Sequence, residues 1–432
     1  MPDAIASDTA KLSIPGHDTL DLPITVGSEG EHAIDVTKLR GTTGYITLDP
    51  GYRNTGSVES NITFINGEEG ILHYRGYAID DLCANCNFLE VAWLLMYGEL
   101  PTQDELGKFE SLTADYADID THVLRSIDAF PDHGHPMAKF ASSLHAASVY
   151  HDGLEEVDGR RGFLDAAARL ISQGRTLAAA GYKDSIGKMP NPPQKGLGYA
   201  EQFLHMMFTT DGTQADLDED VVEAIDLIFI LHADHEQNCS TSTVRMVGSS
   251  GANMFASCAA GVSALWGHKH GGANVAVLKQ LHRIHESPLT VSTFLDKVKS
   301  KEDVLFGFGH AVYKSFDPRA QVLKKSADKV LKKLGVNDPL LKIAMQLEEA
   351  ARADDYFVSR NLYPNVDFYS GIIMRALGIP EDMFTVMFAL GRMPGWIANW
   401  KEVLDQKSRI YRPRQVYAGP TDRKVTPIGE RG

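Results

Sequence analysis

The apolar residues change period near residue 75, and that change constrains the fold more than any other feature of the chain. Before it they alternate. Leu12 and Ile14, then Leu20, Leu22, Ile24 and Val26, lie on either side of the turn Pro15-Gly16-His17-Asp18, which predicts two short strands. Tyr45–Leu48 reads as a further strand, and Ile62–Ile65 and Ile71–Tyr74 flank Asn66-Gly67, a hairpin signal. After residue 75 the spacing is helical. Helices are predicted over Phe88–Tyr97 (closed by Gly98 and Pro101), Met137–Tyr150, Phe163–Ala180 and Ala200–Phe208, with Pro190–Pro193 as a loop. Asp216, Asp218, Glu219 and Asp220 lead into a buried helix through Ala224, Ile225, Ile228 and Leu231, since acidic residues suit a helix start. The small residues between Gly251 and Leu265 predict a helix that packs closely against a neighbour, and further helices start at Pro318 and Pro339. The expected fold is mainly α with a small N-terminal β module.

With 432 residues the chain is long enough for two or three domains, and 43% hydrophobic with 23% charged residues is ordinary for a soluble globular protein. A net charge of −15 argues against nucleic acid as a partner. No run has the length of a membrane span, so no membrane partner is expected. No Lys or Arg precedes Lys11, which argues against a secretion signal or a transit peptide. Cys83-Ala-Asn-Cys86 has metal-site spacing, but no second such pair completes it. These read as structural thiols, and no metal site is expected; the composition fits a cytoplasmic location.

The chemistry gathers in four stretches. In Gly307-Phe308-Gly309-His310-Ala311-Val312-Tyr313-Lys314-Ser315-Phe316-Asp317-Pro318-Arg319, two glycines allow close approach of a ligand and place a histidine on a turn. Asp317 and Pro318 then cap and open a helix stopped by Gly335, so a proton-transfer group meets two cations at a loop-to-helix corner. His232-Ala-Asp-His235-Glu-Gln-Asn238 ends the buried helix and places two histidines three apart on one face. Substrate binding, a structural pair and zinc all remain open there, although the HExxH order is absent. Trp266-Gly-His-Lys-His270-Gly-Gly-Ala-Asn274 puts another histidine before two glycines, and it is neither a Walker loop nor a dinucleotide fingerprint. Tyr363-Pro-Asn365-Val-Asp367-Phe-Tyr-Ser370-Gly371 carries a lone Asp that either caps a helix or serves a site. Arg392 follows an apolar helix, and Arg412-Pro-Arg414 lies near the C-terminus. Gly271-Gly272, Gly371 and Gly378-Ile-Pro380 bracket a block of about 110 residues able to move as a unit.

These four motifs, in this order, resemble citrate synthase, and the N-terminal β module is similar to that of the hexameric kind found in Gram-negative bacteria. The resemblance implies a two-domain helical fold: a β module over 1–75, a large domain over 76–274 that returns over 382–432, and a small domain over 275–381. It implies condensation of acetyl-CoA with oxaloacetate, then hydrolysis of citryl-CoA, as in the tricarboxylic acid cycle. Acetyl-CoA is then a substrate and no cofactor is needed. By the same resemblance Asp367 is the base that removes a methyl proton, His270 donates to the thioester oxygen and His310 protonates the oxaloacetate carbonyl. His235, Arg319, Arg392 and Arg412 bind oxaloacetate, Arg412 from the neighbouring protomer of a homodimer. Gly307, Phe308, Gly309, Ala311, Lys314 and Asn365 receive CoA, while Asn238 and Ser240 support the site, Ser240 through His270. His232 and His268 are expected to be structural. The implied assembly is a homodimer grouped as a hexamer, of a kind often inhibited by NADH. Two alternatives share the motifs: 2-methylcitrate synthesis from propionyl-CoA, and a non-catalytic acyl-CoA-sensing paralogue. Against the latter, His270, His310 and Asp367 are all present.

Overall fold

A computed structural model describes residues 8–431, apart from 155, 156, 158, 211, 212, 214–216, 311 and 335–337. The chain divides into two compact units, one running up to Ser60 and including Tyr411 onward, the other spanning Asn61–Ile410.

The first unit contains the expected alternating strands. β1 (Thr9–Leu12), β2 (Leu20–Val26) and β3 (His32–Ile34) form an antiparallel meander with Leu12 opposite Leu20 and Val26 opposite His32. A one-turn α1 (Leu39–Thr43) follows and ends on Gly44, whose φ of 78° is the left-handed cap that glycine adopts without strain. The strand expected at Tyr45–Leu48 is not formed; among the described residues this segment joins no ladder. Alternation alone does not make a strand where no neighbouring backbone offers hydrogen bonds. Among the described residues beyond Tyr411 there is no helix or strand except a 3₁₀ turn at Ile428–Glu430.

The second unit opens with β4 (Thr63–Asn66), β5 (Ile71–Tyr74) and β6 (Tyr77–Ala78), again antiparallel. The expected hairpin is present, but its loop spans four residues. Asn66 Oδ1 accepts from the amides of Glu68 and Glu69, and Gly70, at φ 73°, donates its N–H to Asn66 O. The turn therefore uses the Asn side chain as a backbone mimic. Its tip supports the 307–319 loop: Lys314 N–H donates to Gly67 O, and a Cβ on Gly67 would lie 2.2 Å from Val312 O.

Helices follow in the order α2 (Ile79–Asn85), α3 (Phe88–Tyr97), α4 (Gln103–Asp115), α5 (Thr121–Asp128), α6 (Pro136–Ser148), α7 (Gly159–Ser185), α8 (Tyr199–Phe208) and α9 (Glu219–His232). Next are α10 (Cys239–Gly248), α11 (Met254–Trp266), α12 (Ala273–His285), α13 (Val291–Lys299), α14 (Pro318–Leu334), α15 (Pro339–Ala353), α16 (Asp355–Val358), α17 (Val366–Ala376) and α18 (Phe384–Asp405). The unit is mainly helical, as the periodicity predicts. The small-residue helix α11 packs tightly: a Cβ on Gly261 would stand 2.7 Å from Val244 of α10 and 3.1 Å from the Trp396 ring of α18. Gly371, expected as a hinge, lies inside α17 and is buried; a helix interior fixes its dihedrals. Gly335 and Asp216 lie outside the described residues. Cys83 and Cys86 are free thiols, and burial raises both.

α18 is the buried axis of the site. Pro394 inside it lacks an N–H and displaces the carbonyl one turn back. At that break Gly395 N–H donates to Ala233 O, just beyond the end of α9, instead of to its own helix. A Cβ on Gly395 would sit 2.2 Å from that oxygen and 2.5 Å from Asp234 Oδ1. The end of α9 is thus seated in a notch that only glycine leaves open. Gly395→Ala should destabilise the fold by about 1–3 kcal/mol through this overlap. A urea-unfolding midpoint equal to that of the parent protein would show that the notch has slack.

Candidate active site

His232 ends α9, and the chain then turns, with Glu236 at a left-handed φ of 51°. The expected single helical face for His232 and His235 is not formed, because α9 ends at His232 and His235 lies in the segment that follows. His232 is buried, donates Nδ1–H to Ile228 O at 2.7 Å, and lies edge-on to Phe388. Burial, then Arg319, lowers it to about 3, so it stays a neutral structural group. His235 sits with its Nε2 3.2 Å from Tyr313 Oη and its ring centroid 5.4 Å from that of His310. Asp234, between them, is buried: it accepts from Thr63 Oγ1 at 2.6 Å and Asn399 Nδ2 at 3.3 Å.

Two histidines are held in defined tautomers. Asn238 caps α10, so the Ser240 amide in its first turn lacks a helical acceptor and donates to His270 Nε2 at 3.2 Å. Nε2 thus carries a lone pair and Nδ1 the hydrogen. Ser240 Oγ, itself receiving Trp396 Nε1–H at 3.1 Å, lies 2.9 Å from the same nitrogen. At His310 the pattern is reversed. The amides of Val312 and Tyr313 donate to Nδ1 at 3.0 and 3.3 Å, leaving the hydrogen on Nε2. Burial lowers both rings to about 4, with Arg392 adding to the effect on His270 and Arg319 to that on His310. Each is a neutral donor aimed away from its backbone anchor.

The 307–310 turn is built for close approach. Gly307 and Gly309 have φ of 80° and 73°, and a Cβ on Gly307 would meet Val277 at 2.6 Å. Phe308 is buried against Phe368 with ring centroids 5.1 Å apart. Asn365 ties this turn to α17. Its N–H donates to Gly307 O, its Nδ2 to Gly309 O at 2.8 Å, and its Oδ1 accepts the amides of Asp367 and Phe368. Asn365, not Asp367, therefore caps α17. Asp367 stands in the first turn, and its carboxylate has no hydrogen-bond partner among the described residues. Burial raises it to about 6, with Arg319 acting against the rise. Lys314 is exposed, and Ala311 lies outside the described residues.

Arg319 and Arg392 complete the charges. Arg319 is buried and held by Asp317 in a fork, Nε to Oδ1 and Nη2 to Oδ2, each at 2.9 Å. Burial acts to lower it, but Asp317 prevails and the pKa is raised, so its charge is permanent. Arg392, expected after a helix, is inside α18; its Nε donates to His232 O at 2.6 Å, and its buried Nη1 has no partner among the described residues. Burial lowers it to about 10. Arg412 is exposed and belongs to the other compact unit. Asp317, Tyr313, Asp234 and Trp396 were not singled out as site residues. An Asp two residues before an Arg at a helix start is a signal that could have found Asp317.

The arrangement combines two neutral N–H donors, a desolvated carboxylate and two buried cations. Such a set can remove a weakly acidic proton and stabilise developing oxygen charge beside an anion. Folding also leaves a pH signature. The unfolded chain protonates His270 and His310 below about 6.5, whereas the folded chain waits until about 4. Stability is thus complete above pH 6.5 and is lost as pH falls toward 4; Asp367, raised to about 6, opposes part of this loss. His270→Gln and His310→Gln should each flatten the decline by up to about 1.4 kcal/mol per pH unit within that window. Urea midpoints at pH 5 and pH 7 measure it, and an unchanged slope would mean that the rings are hydrated in solution.

Residues 51–414 match the family model described as "Citrate synthase, C-terminal domain". The chain is 49% identical over 432 residues to citrate synthase 1 of Mycobacterium tuberculosis, covering 99% of this chain and 100% of that protein. It is 48% identical over 437 residues to citrate synthase of Corynebacterium glutamicum, covering 99% of each. The crystal structure of citrate synthase from Pyrobaculum aerophilum is similar with a TM-score of 0.81 at 33% identity, over 90% of this chain and 98% of that one. A ternary complex of carboxymethyl coenzyme A and oxaloacetate with citrate synthase from Thermoplasma acidophilum gives 0.80 at 31% identity, over 89% and 100%. The chain therefore belongs to the citrate synthase family and is an acyltransferase of that family's class.

Proposed function

We propose that the protein condenses acetyl-CoA with oxaloacetate and hydrolyses the citryl-CoA formed, releasing citrate and CoA. The observation that carries this reading is the pair of oppositely anchored neutral histidines, together with a desolvated Asp367 whose carboxylate has no hydrogen-bond partner among the described residues. A thioester methyl group is a very weak acid, so a carboxylate base needs the enolate oxygen stabilised as it forms. Asp367 takes the methyl proton while His270 donates Nδ1–H to the thioester oxygen. The enol carbon then attacks the oxaloacetate carbonyl, and His310 supplies Nε2–H to the oxygen that becomes the hydroxyl. A neutral donor suits both tasks because it adds no full charge in the ground state.

Oxaloacetate brings two carboxylates. Arg319 and the unpartnered Nη1 of Arg392 receive them, with His235 beside His310 as a further contact. CoA lies along Gly307–Ala311, with Lys314 at the exposed edge. Asn365 acts there by holding the turn to α17. The block 275–381 closes over the substrates about Gly271-Gly272 and Gly378-Ile-Pro380; Gly378 already holds φ 75°. Closure keeps water out until the carbon–carbon bond exists. The functional unit is a homodimer, grouped as a hexamer, acting in the cytoplasm. The two relatives at 48–49% identity are actinobacterial, so a Gram-negative subtype rests on the β module alone. Acetyl-CoA is favoured over propionyl-CoA by the named relatives, and the ratio of the two specificity constants measures that preference.

Asp367→Asn should abolish exchange of the acetyl-CoA methyl protons, by at least about 10³-fold, while oxaloacetate still binds to the unchanged arginines. Exchange by NMR beside calorimetry with oxaloacetate reads both, and normal exchange would remove Asp367 from its role. Arg412 is assigned to the partner subunit's oxaloacetate, so Arg412→Ala should weaken its binding by about 2–5 kcal/mol. Arg412→Ala and His310→Ala homodimers should both be inactive. A mixed dimer has one site with both defects and one with neither, so co-refolded mixtures should regain activity. No recovery despite heterodimers seen by mass spectrometry would place Arg412 in its own subunit's site.

A further inference from the structure

Helices α3, α4, α7, α8 and α9 line a second cavity of about 790 Å³ that shares no residue with the site described above. That volume is within the range of small-molecule sites. Two of its wall residues are polar, only 3% exposed and poorly satisfied: Arg175 of α7 and Gln202 of α8. Arg175 Nε and Gln202 Oε1 have no hydrogen-bond partner among the described residues. Among the described residues the only bond of the guanidinium is from Nη1 to Tyr199 O at 3.5 Å, the limit of such contacts, supplemented by the Tyr199 ring 4.7 Å away. Burial lowers Arg175 to about 10, and no carboxylate compensates it. A buried cation left in this state is costly unless something else meets it.

The rest of the wall has the opposite sign. Glu110, Asp118, Glu219, Glu223 and Asp226 line it beside a single lysine, Lys195. Lys195 lies 3.8 Å from Asp115, Glu223 is taken by Lys329 of α14, and Asp226 accepts the Phe88 amide. Among the described residues, the exposed carboxylates of Glu110, Asp118 and Glu219 join no hydrogen bond or ion pair. A polyanion would be repelled by this rim, and a simple cation would leave Arg175 unmet. We infer that the cavity is a second small-molecule site for a zwitterion, its carboxylate on Arg175, its ammonium on Gln202 Oε1 and a cationic tail among Glu110, Asp118 and Glu219. A basic α-amino acid has that order of groups.

The probe is L-arginine, titrated calorimetrically into the full-length protein without substrates, beside agmatine, which lacks the carboxylate, and L-glutamate, whose tail is anionic. One L-arginine should bind per protomer, agmatine at least about tenfold more weakly and L-glutamate more weakly still, because a buried charge pair with Arg175 is worth a factor of that size or more. In Arg175→Leu, L-arginine should fall to the affinity of agmatine, and agmatine should be unchanged. Glu219→Gln, an exposed change that spares folding, should weaken L-arginine severalfold and leave L-norvaline unaffected. That variant keeps the test open if Arg175→Leu does not fold. Absence of L-arginine binding at 20-fold molar excess and about 10 mM ligand, or equal binding of L-arginine and agmatine, would overturn the assignment. Because the readout is binding without substrate, failure here leaves the proposed condensation untouched, and failure of the condensation leaves this site untouched.

Discussion

One buried carboxylate sets the relation between the pieces of the candidate site. Asp317 Oδ1 accepts the Arg319 amide and Nε, and its Oδ2 accepts Arg319 Nη2 and the Val366 amide. The side chains are 2% and 4% exposed. A single acid thus caps α14, orients the arginine on it and grips the first residue of α17, next to Asp367. Breaking such a pair from one side leaves a bare charge in the interior, at roughly 3–5 kcal/mol. The position of Asp367 relative to Arg319 is therefore fixed by hydrogen bonds to Arg319 itself and to the residue directly before Asp367, and does not depend on loop stiffness. Asn365 repeats the device one residue earlier, joining the glycine turn at 307–309 to the same helix start.

Burial keeps the two donor histidines neutral, and backbone amides decide which nitrogen of each carries the hydrogen. Two neighbouring N–H groups point at His310 Nδ1, and a helix N-terminus points at His270 Nε2. An amide cannot accept a proton, so each anchored nitrogen keeps its lone pair, and the positive end of the α10 dipole disfavours a charged His270 further. A carboxylate in either place would have raised the ring toward protonation. The arginines add to the effect: the cations suited to binding an anion also keep the donors neutral.

The helices, the first hairpins and the four motif stretches were legible because period, caps and glycine positions are local properties. Phe88–Tyr97 has the bounds that its apolar run, Asn87 cap and Gly98 stop imply. What was not legible depends on neighbours distant in sequence. Tyr45–Leu48 alternates like a strand but has no partner to pair with. Arg392 reads as lying beyond a helix because Pro394 ordinarily ends one; here α9 supplies Ala233 O to the freed Gly395 amide, and α18 runs on to Asp405. His232 and His235 look like one face, but α9 ends at His232 and His235 lies beyond it. Asp317 was legible as a cap, but its grip on Val366, 49 residues away, was not.

The same accounting explains why the site is reactive. Most buried polar groups in the unit are satisfied, as folding requires. Arg392 Nη1 and the Asp367 carboxylate are exceptions, and both are oriented by well-satisfied neighbours, His232 O at the arginine and Asn365 at the helix start. The two cannot neutralise each other without abandoning those anchors. An ionised Asp367 is disfavoured by burial and favoured by two arginines, which leaves it at about 6, ionised at neutral pH yet still basic. In the proposed reaction a dicarboxylate would partner the guanidinium and draw off the field that holds Asp367 acidic. Its basicity would then rise when the substrate that needs the proton removed is in place. In that proposal, oxaloacetate precedes proton abstraction because the folded chain leaves these electrostatics incomplete.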